Sequence, residues 1–262
     1  MKMNWSHRII IGGLPRSGST LFRLILNSTE HIICPAETSF FLRTLENKRK
    51  NIDRVAPYLN SKLDINTDAI ERCILESKNS LEVMDKLMLL IKNKTHSSKN
   101  IWAEKSPKNC FSYKELEEQD KNLFFISTVR DGRDVVTSKG RNDNKLYQCS
   151  IDRYVQTMNA VLNFKSEKHK IVKYEEMTRN PTKVLSEIHE WIGIPFDSQC
   201  VLNYAENVSS ESIEDHKQDL LNGPITDSQI NRWEKPEYSD RIKEFMNNKD
   251  AVRLLQSSGY KI

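Results

Sequence analysis

The amino-acid sequence predicts an α/β fold, a three-layer sandwich of the P-loop type with a central parallel sheet and a helical insertion. Short apolar runs of strand length alternate with segments whose apolar residues recur at helical spacing. The first run ends in a glycine-bearing turn that opens into a helix, and a glycine-free helical stretch follows. Because parallel neighbours need a crossover helix, this alternation implies βαβ units.

The first part of the chain contains two predicted strands around the insertion. Arg8 to Ile11 is a short apolar run typical of a buried strand, and a helix is expected from Ser19 to Asn27. From Phe41 to about Lys94 the pattern is amphipathic and helical. One face of this stretch carries Leu81, Met84, Leu87, Met88 and Ile91. Ile101 to Ala103 then predicts a second strand.

The alternation continues after the second strand. Ser106 as N-cap and Pro107 in the first turn predict a helix to about Glu118. Asp131 stands at the end of the next strand, where it can cap a further helix. The remaining predicted elements are a strand over Leu123 to Val129, helices over Arg133 to Gly140 and Ile151 to Phe164, a strand over Ile171 to Tyr174, and a helix over Pro181 to Trp191.

The composition predicts one globular domain over residues 1–262. With 37% hydrophobic residues, 8 glycines and 8 prolines, the chain is neither disordered nor fibrous. A formal net charge of +4 is too small to predict nucleic-acid binding, so any bound anion is expected to be held locally. The sequence does not indicate the oligomeric state.

Nothing in the sequence predicts a membrane, a disulfide or a metal. The chain has no signal-peptide pattern and no apolar stretch long enough to span a bilayer, so the expected location is cytoplasmic. The five cysteines are widely spaced and never form a CxxC pair, which excludes a disulfide framework and a zinc site as expectations.

A phosphate-binding loop is predicted between residues 12 and 21, where the first strand leads into the first helix. Backbone N–H groups at such a helix start converge on an anion, and the helix dipole favours negative charge. Arg16 adds a cation, and further donors come from the hydroxyls of Ser17, Ser19 and Thr20. The alternative is a tight βα turn capped by hydroxyl residues, which gives no packing reason for an arginine among small residues.

This loop differs from that of nucleoside triphosphatases at one position. Their motif reads G-x-x-x-x-G-K-[ST], with the lysine on the terminal phosphates and the hydroxyl on magnesium. Gly13 and Gly18 have the spacing, but Ser19 stands where the lysine belongs. A kinase or ATPase would therefore lack its chief phosphate cation, whereas transfer of a less highly charged group needs neither that lysine nor a metal.

A second anion site is predicted where the third apolar strand ends. Arg130 and Arg133 flank the strand end, and Ser138 follows two helical turns later. Arg130 and Ser138 can therefore meet at one edge of the sheet, beside the first loop. The alternative is a solvated charge cluster in which Asp131 and Asp134 neutralise the two arginines.

Together the two motifs resemble the paired loops of the sulfotransferase superfamily, with the tyrosylprotein sulfotransferases as the nearest likeness. Pro15 to Leu21 looks like their 5′-phosphosulfate loop and Val129 to Arg133 like their 3′-phosphate loop. Other shared landmarks are Lys173 to Met177, Asn180-Pro181 and Trp191 to Pro195. The resemblance covers most of residues 8 to 196. It implies transfer of a sulfuryl group from 3′-phosphoadenosine-5′-phosphosulfate to a hydroxyl, without a metal.

The resemblance also implies individual contacts to the donor. It assigns the 5′-phosphosulfate to Arg16, Ser17, Gly18, Ser19 and Thr20, the 3′-phosphate to Arg130 and Ser138, and the nucleotide face to Tyr174. Arg141 is a further candidate for the 3′-phosphate, although its offset from Arg130 differs from the family's. At Gly223-Pro224 the tyrosylprotein enzymes carry a lysine before the proline, so Lys217 or Ser209 is the candidate substitute.

Transfer requires a base for the acceptor's proton and cations for the developing charge. Glu37 lies at the offset from Arg16 that the tyrosylprotein enzymes show for their catalytic glutamate, so the resemblance makes it the general base. Lys105 resembles the family's lysine at the reacting group, and Arg16 completes the predicted catalytic set. Alternatively, Glu37 is an N-cap-region carboxylate or a surface residue, and Lys105 is a solvated rim charge. Glu104 is the expected neutraliser of Lys105. His96 is the second candidate base.

Two other functions remain open from the sequence. One is a P-loop kinase or NTPase with Asp131 as magnesium ligand, and the other is a non-catalytic nucleotide-binding module. A peptide tyrosine, a glycan hydroxyl and a small-molecule phenol or alcohol would all need the same donor site. The tyrosylprotein likeness favours a tyrosine or another phenol as acceptor.

Overall fold

A five-stranded parallel sheet forms the centre of the described part of the protein. The computed structural model describes residues 5–139, 146–202, 204–205 and 224–262. The strands are β1 (His7–Gly13), β2 (Ile32–Ile33), β3 (Ile101–Lys105), β4 (Phe124–Val129) and β5 (His169–Lys173), in the order β2-β3-β1-β4-β5. The predicted α/β class and parallel sheet are therefore confirmed.

The central position of β1 determines where the loops meet. Ile9 of β1 pairs with Ala103 of β3 on one side and with Phe124 of β4 on the other. The carboxyl ends of parallel strands lie at the same edge of a sheet. The segments that follow β1, β3 and β4 are therefore neighbours, although more than a hundred residues separate the first from the last.

Helices cover both faces of the sheet. The α-helices are α1 (Ser19–Ser28), α2 (Leu45–Lys50), α3 (Ile52–Leu63), α4 (Thr67–Leu75), α5 (Ser80–Lys94), α6 (Tyr113–Gln119), α7 (Gly132–Val136), α8 (Ile151–Asn163), α9 (Tyr174–Arg179), α10 (Pro181–Ile192), α11 (Gln199–Leu202), α12 (Ser239–Asn247) and α13 (Lys249–Ser257). Ile10 belongs to an apolar core that includes buried residues of α3, α4, α5, α8 and α13, whereas Ile9 and Ile11 belong to a second core that includes those of α1 and α10. This alternation along β1 produces the three layers.

The helical insertion is confirmed as α2 to α5. All five apolar residues predicted on one face of α5 are buried. Asp85 of α5 accepts hydrogen bonds from Trp102 Nε1 at 2.7 Å and from Arg8 Nε at 2.8 Å. These bonds join the insertion to β1 and β3, so the insertion is packed onto the sheet. No helix among the described residues is long and apolar enough to cross a membrane.

Three predicted element boundaries are wrong. The helix expected to Gly140 ends at Val136, because Ser138 and Lys139 turn back to pair with the segment at Tyr147. The helix expected from Ser106 is a 3₁₀ turn over Pro107–Phe111 followed by α6. The strand expected over Ile171 to Tyr174 begins earlier and stops at Lys173, and Tyr174 opens α9.

Candidate active site

The first predicted loop lies between β1 and α1 and is held against β4. Ser17 Oγ lies 2.6 Å from Leu14 O and 2.8 Å from Thr128 Oγ1. Arg16 has a φ of 63° and Gly18 a φ of 74°, so two left-handed residues bend the chain into the helix. The first N–H groups of an α-helix have no partner within the helix. The loop therefore presents N–H donors beside the exposed Arg16 side chain.

Gly18 is the point at which α9 approaches this loop. A Cβ atom at Gly18 would lie 2.5 Å from Tyr174 Cδ2, so only glycine permits the ring to pack there. The guanidinium of Arg130 lies 4.4 Å from the centre of the same ring. Tyr174 is thus placed between the first loop and the second.

The second predicted motif is buried rather than solvated. Arg130 pairs with Asp134 at 3.1 Å, and Arg133 pairs with Asp131 at 2.7 Å. All four residues are at most 9% exposed. The expected pairing of arginines with aspartates is present, but the alternative of a solvated cluster is wrong because the carboxyl-terminal segment covers these residues.

The two motifs contact each other through Arg16. Its Nε donates to Ser138 Oγ at 2.7 Å, and its carbonyl oxygen accepts from Arg130 Nη1 at 3.3 Å. The Nε of Arg130 is buried and has no hydrogen-bond partner in the described structure. A buried donor without a partner is costly, so an anion at this position would satisfy it.

Glu37 and Lys105 form an ion pair at the same edge of the sheet. Lys105 Nζ lies 2.7 Å from Glu37 Oε2. The lysine side chain is 2% exposed, whereas the glutamate side chain is 34% exposed. Lys105 is therefore not a solvated rim charge, and the carboxylate of Glu37 stays open to an incoming molecule while its position is held by a buried cation.

Glu104 does not neutralise Lys105, contrary to the prediction. Successive residues of a strand point to opposite faces of the sheet. Glu104 is fully buried and accepts hydrogen bonds from Thr38 and Ser106 instead. Ser106 likewise does not cap a helix, because its hydroxyl is directed to Glu104.

The carboxyl-terminal segment contributes contacts that the sequence did not predict. Asp134 accepts hydrogen bonds from the backbone N–H groups of Asn231 at 3.1 Å and Trp233 at 3.0 Å. The ring of Trp233 lies 3.9 Å from the Arg133 guanidinium. A tryptophan in an otherwise polar tail was the available indication that this segment packs against the rest of the protein. The segment containing Trp233 covers the second motif.

Several candidates are not brought to this edge or are not described. His96 follows α5 and precedes the first residue of β3, whereas Lys105 ends that strand, so the two lie at opposite ends of β3. His96 instead lines an open cavity of about 1210 Å³ between the insertion and α10. Three other candidates, Arg141, Ser209 and Lys217, lie outside the described residues, as does Gly223.

A family model described as the sulfotransferase family matches residues 8–198, and the chain belongs to this family. A protein-tyrosine sulfotransferase 1 from Danio rerio is 25% identical over 241 residues, which cover 86% of this chain and 65% of the relative. A protein-tyrosine sulfotransferase A from Caenorhabditis elegans is 26% identical over 246 residues, which cover 86% of this chain and 60% of the relative. The chain thus spans less than two thirds of the length of these curated relatives.

Two solved structures share the fold over nearly the whole chain. The sulfotransferase domain from the curacin biosynthetic pathway has a TM-score of 0.63 at 17% identity and covers 98% of both chains. The sulfotransferase domain from the Synechococcus PCC 7002 olefin synthase has a TM-score of 0.63 at 18% identity, covering 98% of this chain and 95% of that one. At these identities the likeness concerns the fold.

Proposed function

We propose that this protein transfers a sulfuryl group from 3′-phosphoadenosine-5′-phosphosulfate to a hydroxyl acceptor. The observation that carries the proposal is the pair of contacts made by Arg16, whose side chain binds Ser138 and whose carbonyl oxygen binds Arg130. Two sites suited to anions are thereby held together at one edge of the sheet. A donor with phosphate groups at both ends of its ribose needs two such sites.

The residues at this edge fit the donor. We assign its 5′ end to Arg16 and the helix start from Ser17 to Thr20, and its 3′-phosphate to Arg130 and Ser138. The support for the second assignment is the buried Nε of Arg130, which lacks a partner among the described residues. We place the nucleotide along Tyr174, and the support is that its ring, which is 7% exposed, packs between Gly18 of the first loop and Arg130 of the second.

We assign the chemistry of the acceptor to Glu37 and Lys105. When bound, the donor supplies an activated sulfuryl group. Glu37 would take the proton of the acceptor hydroxyl on its carboxylate while the acceptor oxygen attacks the sulfur. The bond between that sulfur and the 5′-phosphate oxygen breaks, and 3′-phosphoadenosine-5′-phosphate leaves. Lys105 holds Glu37 in place and, with Arg16, provides positive charge where negative charge develops. The open face of Glu37 and the buried position of Lys105 support this division of roles.

We propose a tyrosine or another phenol as the acceptor, in the cytoplasm, with residues 1–262 acting as one domain. The support for the acceptor is the similarity to the two protein-tyrosine sulfotransferases. The support for a reducing location is that all five cysteines are buried free thiols.

Binding of the desulfated donor tests the proposal. Thermal unfolding is measured with 3′-phosphoadenosine-5′-phosphate in the presence of a chelator, and separately with ATP and magnesium. At one hundred times its dissociation constant the bisphosphate should add about 2.7 kcal/mol, or roughly 5 to 10 °C for a chain of this size. A shift with magnesium-ATP and none with the bisphosphate would favour the kinase or NTPase interpretation and refute ours.

Transfer itself is then assayed with donor labelled in the sulfuryl group. The acceptor panel contains a tyrosine peptide, p-nitrophenol, an aliphatic alcohol and a monosaccharide. We expect labelled product with the tyrosine peptide or with p-nitrophenol. Bisphosphate binding without transfer to any acceptor, and without release of labelled sulfate to water, would instead favour a binding module.

A further inference from the structure

A buried carboxylate lies directly behind the Glu37–Lys105 pair. Glu104 is 0% exposed, and its Oε1 accepts from Thr38 N at 3.2 Å, Thr38 Oγ1 at 2.7 Å and Ser106 Oγ at 2.7 Å. Its Oε2 accepts from Asn109 Nδ2. These four donors are uncharged groups. Thr38 follows Glu37 in the chain, and Ser106 follows Lys105. The Glu104 carboxylate therefore binds the residue after each member of the Glu37–Lys105 ion pair.

The hydroxyl hydrogens in this network have determined directions. Thr38 Oγ1 accepts from the backbone N–H of Phe40 at 3.1 Å, and Ser106 Oγ accepts from the backbone N–H of Ser39 at 2.8 Å. Each hydroxyl has one hydrogen to donate, and in both cases it points to Glu104. Two backbone groups of the segment after Glu37 are thus connected to β3 through two hydroxyls and one carboxylate.

Burying the Glu104 carboxylate destabilises the folded state. Burial raises the pKa of Glu104, because a charged carboxylate loses its hydration, and the donated hydrogen bonds from Ser106, Thr38 and Asn109 offset part of that rise. Asn109 Nδ2 also donates to Ile11 O of β1 at 3.0 Å, which connects the network to the centre of the sheet. A fully connected network of this kind rigidifies the segments that it joins.

We propose that Glu104 is the positioning residue for the general base, an inference that rests on the proposed function of Glu37. Glu104 acts through Thr38 and Ser106, and does not touch substrate. It holds the segment after β2 against the end of β3, so that the Glu37 carboxylate and Lys105 Nζ stay 2.7 Å apart on the other side. A displacement of about 1 Å at a reacting group can lower a rate about a hundredfold.

Thr38→Val tests this role with little change in shape. Glu104→Ala leaves buried donors without an acceptor and can fail to fold, so the smaller change is preferable. We expect kcat with the acceptor that works best in the panel, or release of labelled sulfate to water, to fall about 10- to 100-fold. The dissociation constant of 3′-phosphoadenosine-5′-phosphate should stay within about twofold, because Arg16 and Arg130 are untouched. Thr38→Ser, which restores the hydroxyl, should recover most of the rate.

Thr29→Val is the matched control. Thr29 is also a buried threonine, and its Oγ1 donates to Leu26 O at 2.8 Å at the far end of α1. Loss of this hydrogen bond should reduce the free energy of unfolding about as much as Thr38→Val does, and kcat should be unchanged. An equal fall of kcat in both variants would overturn the proposal, since the rate would then follow general stability.

A double-mutant cycle separates failure of this inference from failure of the proposed base. If Thr38 acts only through Glu37, Thr38→Val should have no further effect on kcat in the Glu37→Gln background. Multiplicative effects of the two changes would overturn the positioning role. If Glu37→Gln alone keeps the wild-type rate, the base assignment is wrong and the inference falls with it.

A spectroscopic measurement makes the test independent of any acceptor. The Nζ hydrogens of Lys105 can be followed by nitrogen-15 NMR through their exchange with water. We expect this exchange to accelerate in Thr38→Val and to remain unchanged in Thr38→Ser and Thr29→Val. Unchanged exchange in Thr38→Val would mean that the Glu37–Lys105 pair does not depend on Glu104, and would overturn the proposal.

Discussion

Arg16 and Ser138 are 122 residues apart in the chain, and Arg16 Nε donates to Ser138 Oγ at 2.7 Å. This bond joins the loop after β1 to the segment after α7, because β1 and β4 are neighbours in the sheet. The two anion sites proposed here are therefore not independent. A change in one loop is expected to alter the position of the other.

Arg130→Ala should weaken recognition of the 3′-phosphate selectively. We expect the affinity for 3′-phosphoadenosine-5′-phosphate to fall by roughly 2 to 3 kcal/mol, the contribution of a charge-assisted contact. The affinity for AMP, which lacks only the 3′-phosphate, should fall much less. Calorimetric titration of both nucleotides gives the comparison. Because Asp134 also loses its ion pair, the folded fraction is checked by circular dichroism, and an equal loss for both nucleotides would place Arg130 elsewhere in the site.

Glu37→Gln should remove catalysis and spare donor binding. A general base contributes about 10²- to 10⁴-fold, so kcat should fall at least about a hundredfold. Glutamine keeps the volume and can still accept from Lys105 Nζ, but it removes the charge that neutralises this buried lysine, so the variant should also lose some stability. Steady-state transfer and bisphosphate titration are measured on the same preparation. If the variant retains most of its rate, the base lies at another residue.

Gly18→Ala should disturb the nucleotide face through Tyr174. The added Cβ would approach Tyr174 Cδ2 to 2.5 Å and would also strain a backbone with a φ of 74°. Gly193→Ala is the control, since Gly193 has a φ of 81° but nothing lies within 4 Å of its added Cβ. Both variants should lose about 1 to 2 kcal/mol of stability from the backbone alone.

Only Gly18→Ala should lose further stability and bisphosphate affinity. Urea unfolding and calorimetric titration of the two variants separate the contact from the backbone strain. Equal behaviour of the two alanine variants would show that Tyr174 moves aside without consequence.

Lys48→Met should stabilise the protein near neutral pH. Lys48 is 4% exposed and packs on Phe40, and burial lowers its pKa from the usual 10.5 of a lysine to about 8. Between pH 8 and 10.5 the unfolded chain therefore binds more protons at this site, so wild-type stability gains from rising pH. Below pH 8 the full penalty applies, at most about 3 kcal/mol. Methionine loses roughly 1 kcal/mol for the cation–π contact and about 1 kcal/mol for the hydrogen bond that Lys48 Nζ donates to Arg43 O, so the net gain in stability is smaller.

The advantage of Lys48→Met over the wild type should thus be largest at pH 7 and shrink toward pH 10. Urea unfolding at pH 7, 8.5 and 10 measures this trend. Lys50→Met, on the exposed side of α2, is the control and should show little pH-dependent difference. A Lys48→Met variant that is less stable than wild type at pH 7 would contradict the expectation.

The features that are local in the sequence were predicted well. The apolar runs of β1, β3 and β4, the amphipathic pattern of α5 and the glycine-bearing loop each involve only a few consecutive residues. The parallel arrangement then followed from their alternation. β2 was missed, because two residues, Ile32 and Ile33, are too few to show a strand periodicity.

The partners of charged side chains could not be predicted, because they depend on contacts between distant segments. Lys105 was expected to pair with its chain neighbour Glu104, but the pleat of β3 sends the two side chains to opposite faces. Glu37 reaches Lys105 only because β2 lies beside β3. The cover that Trp233 forms over the second motif requires the chain to return from the far end of the sequence.

The backbone conformation of Arg16 sets a cost in stability against the role in activity that we propose for its side chain. Its φ of 63° costs a non-glycine residue about 1 to 2 kcal/mol, which glycine would not pay. A selection for heat resistance alone would therefore favour glycine at this position, and would discard the guanidinium that joins the two loops. Random libraries screened by melting temperature should recover this substitution among inactive clones.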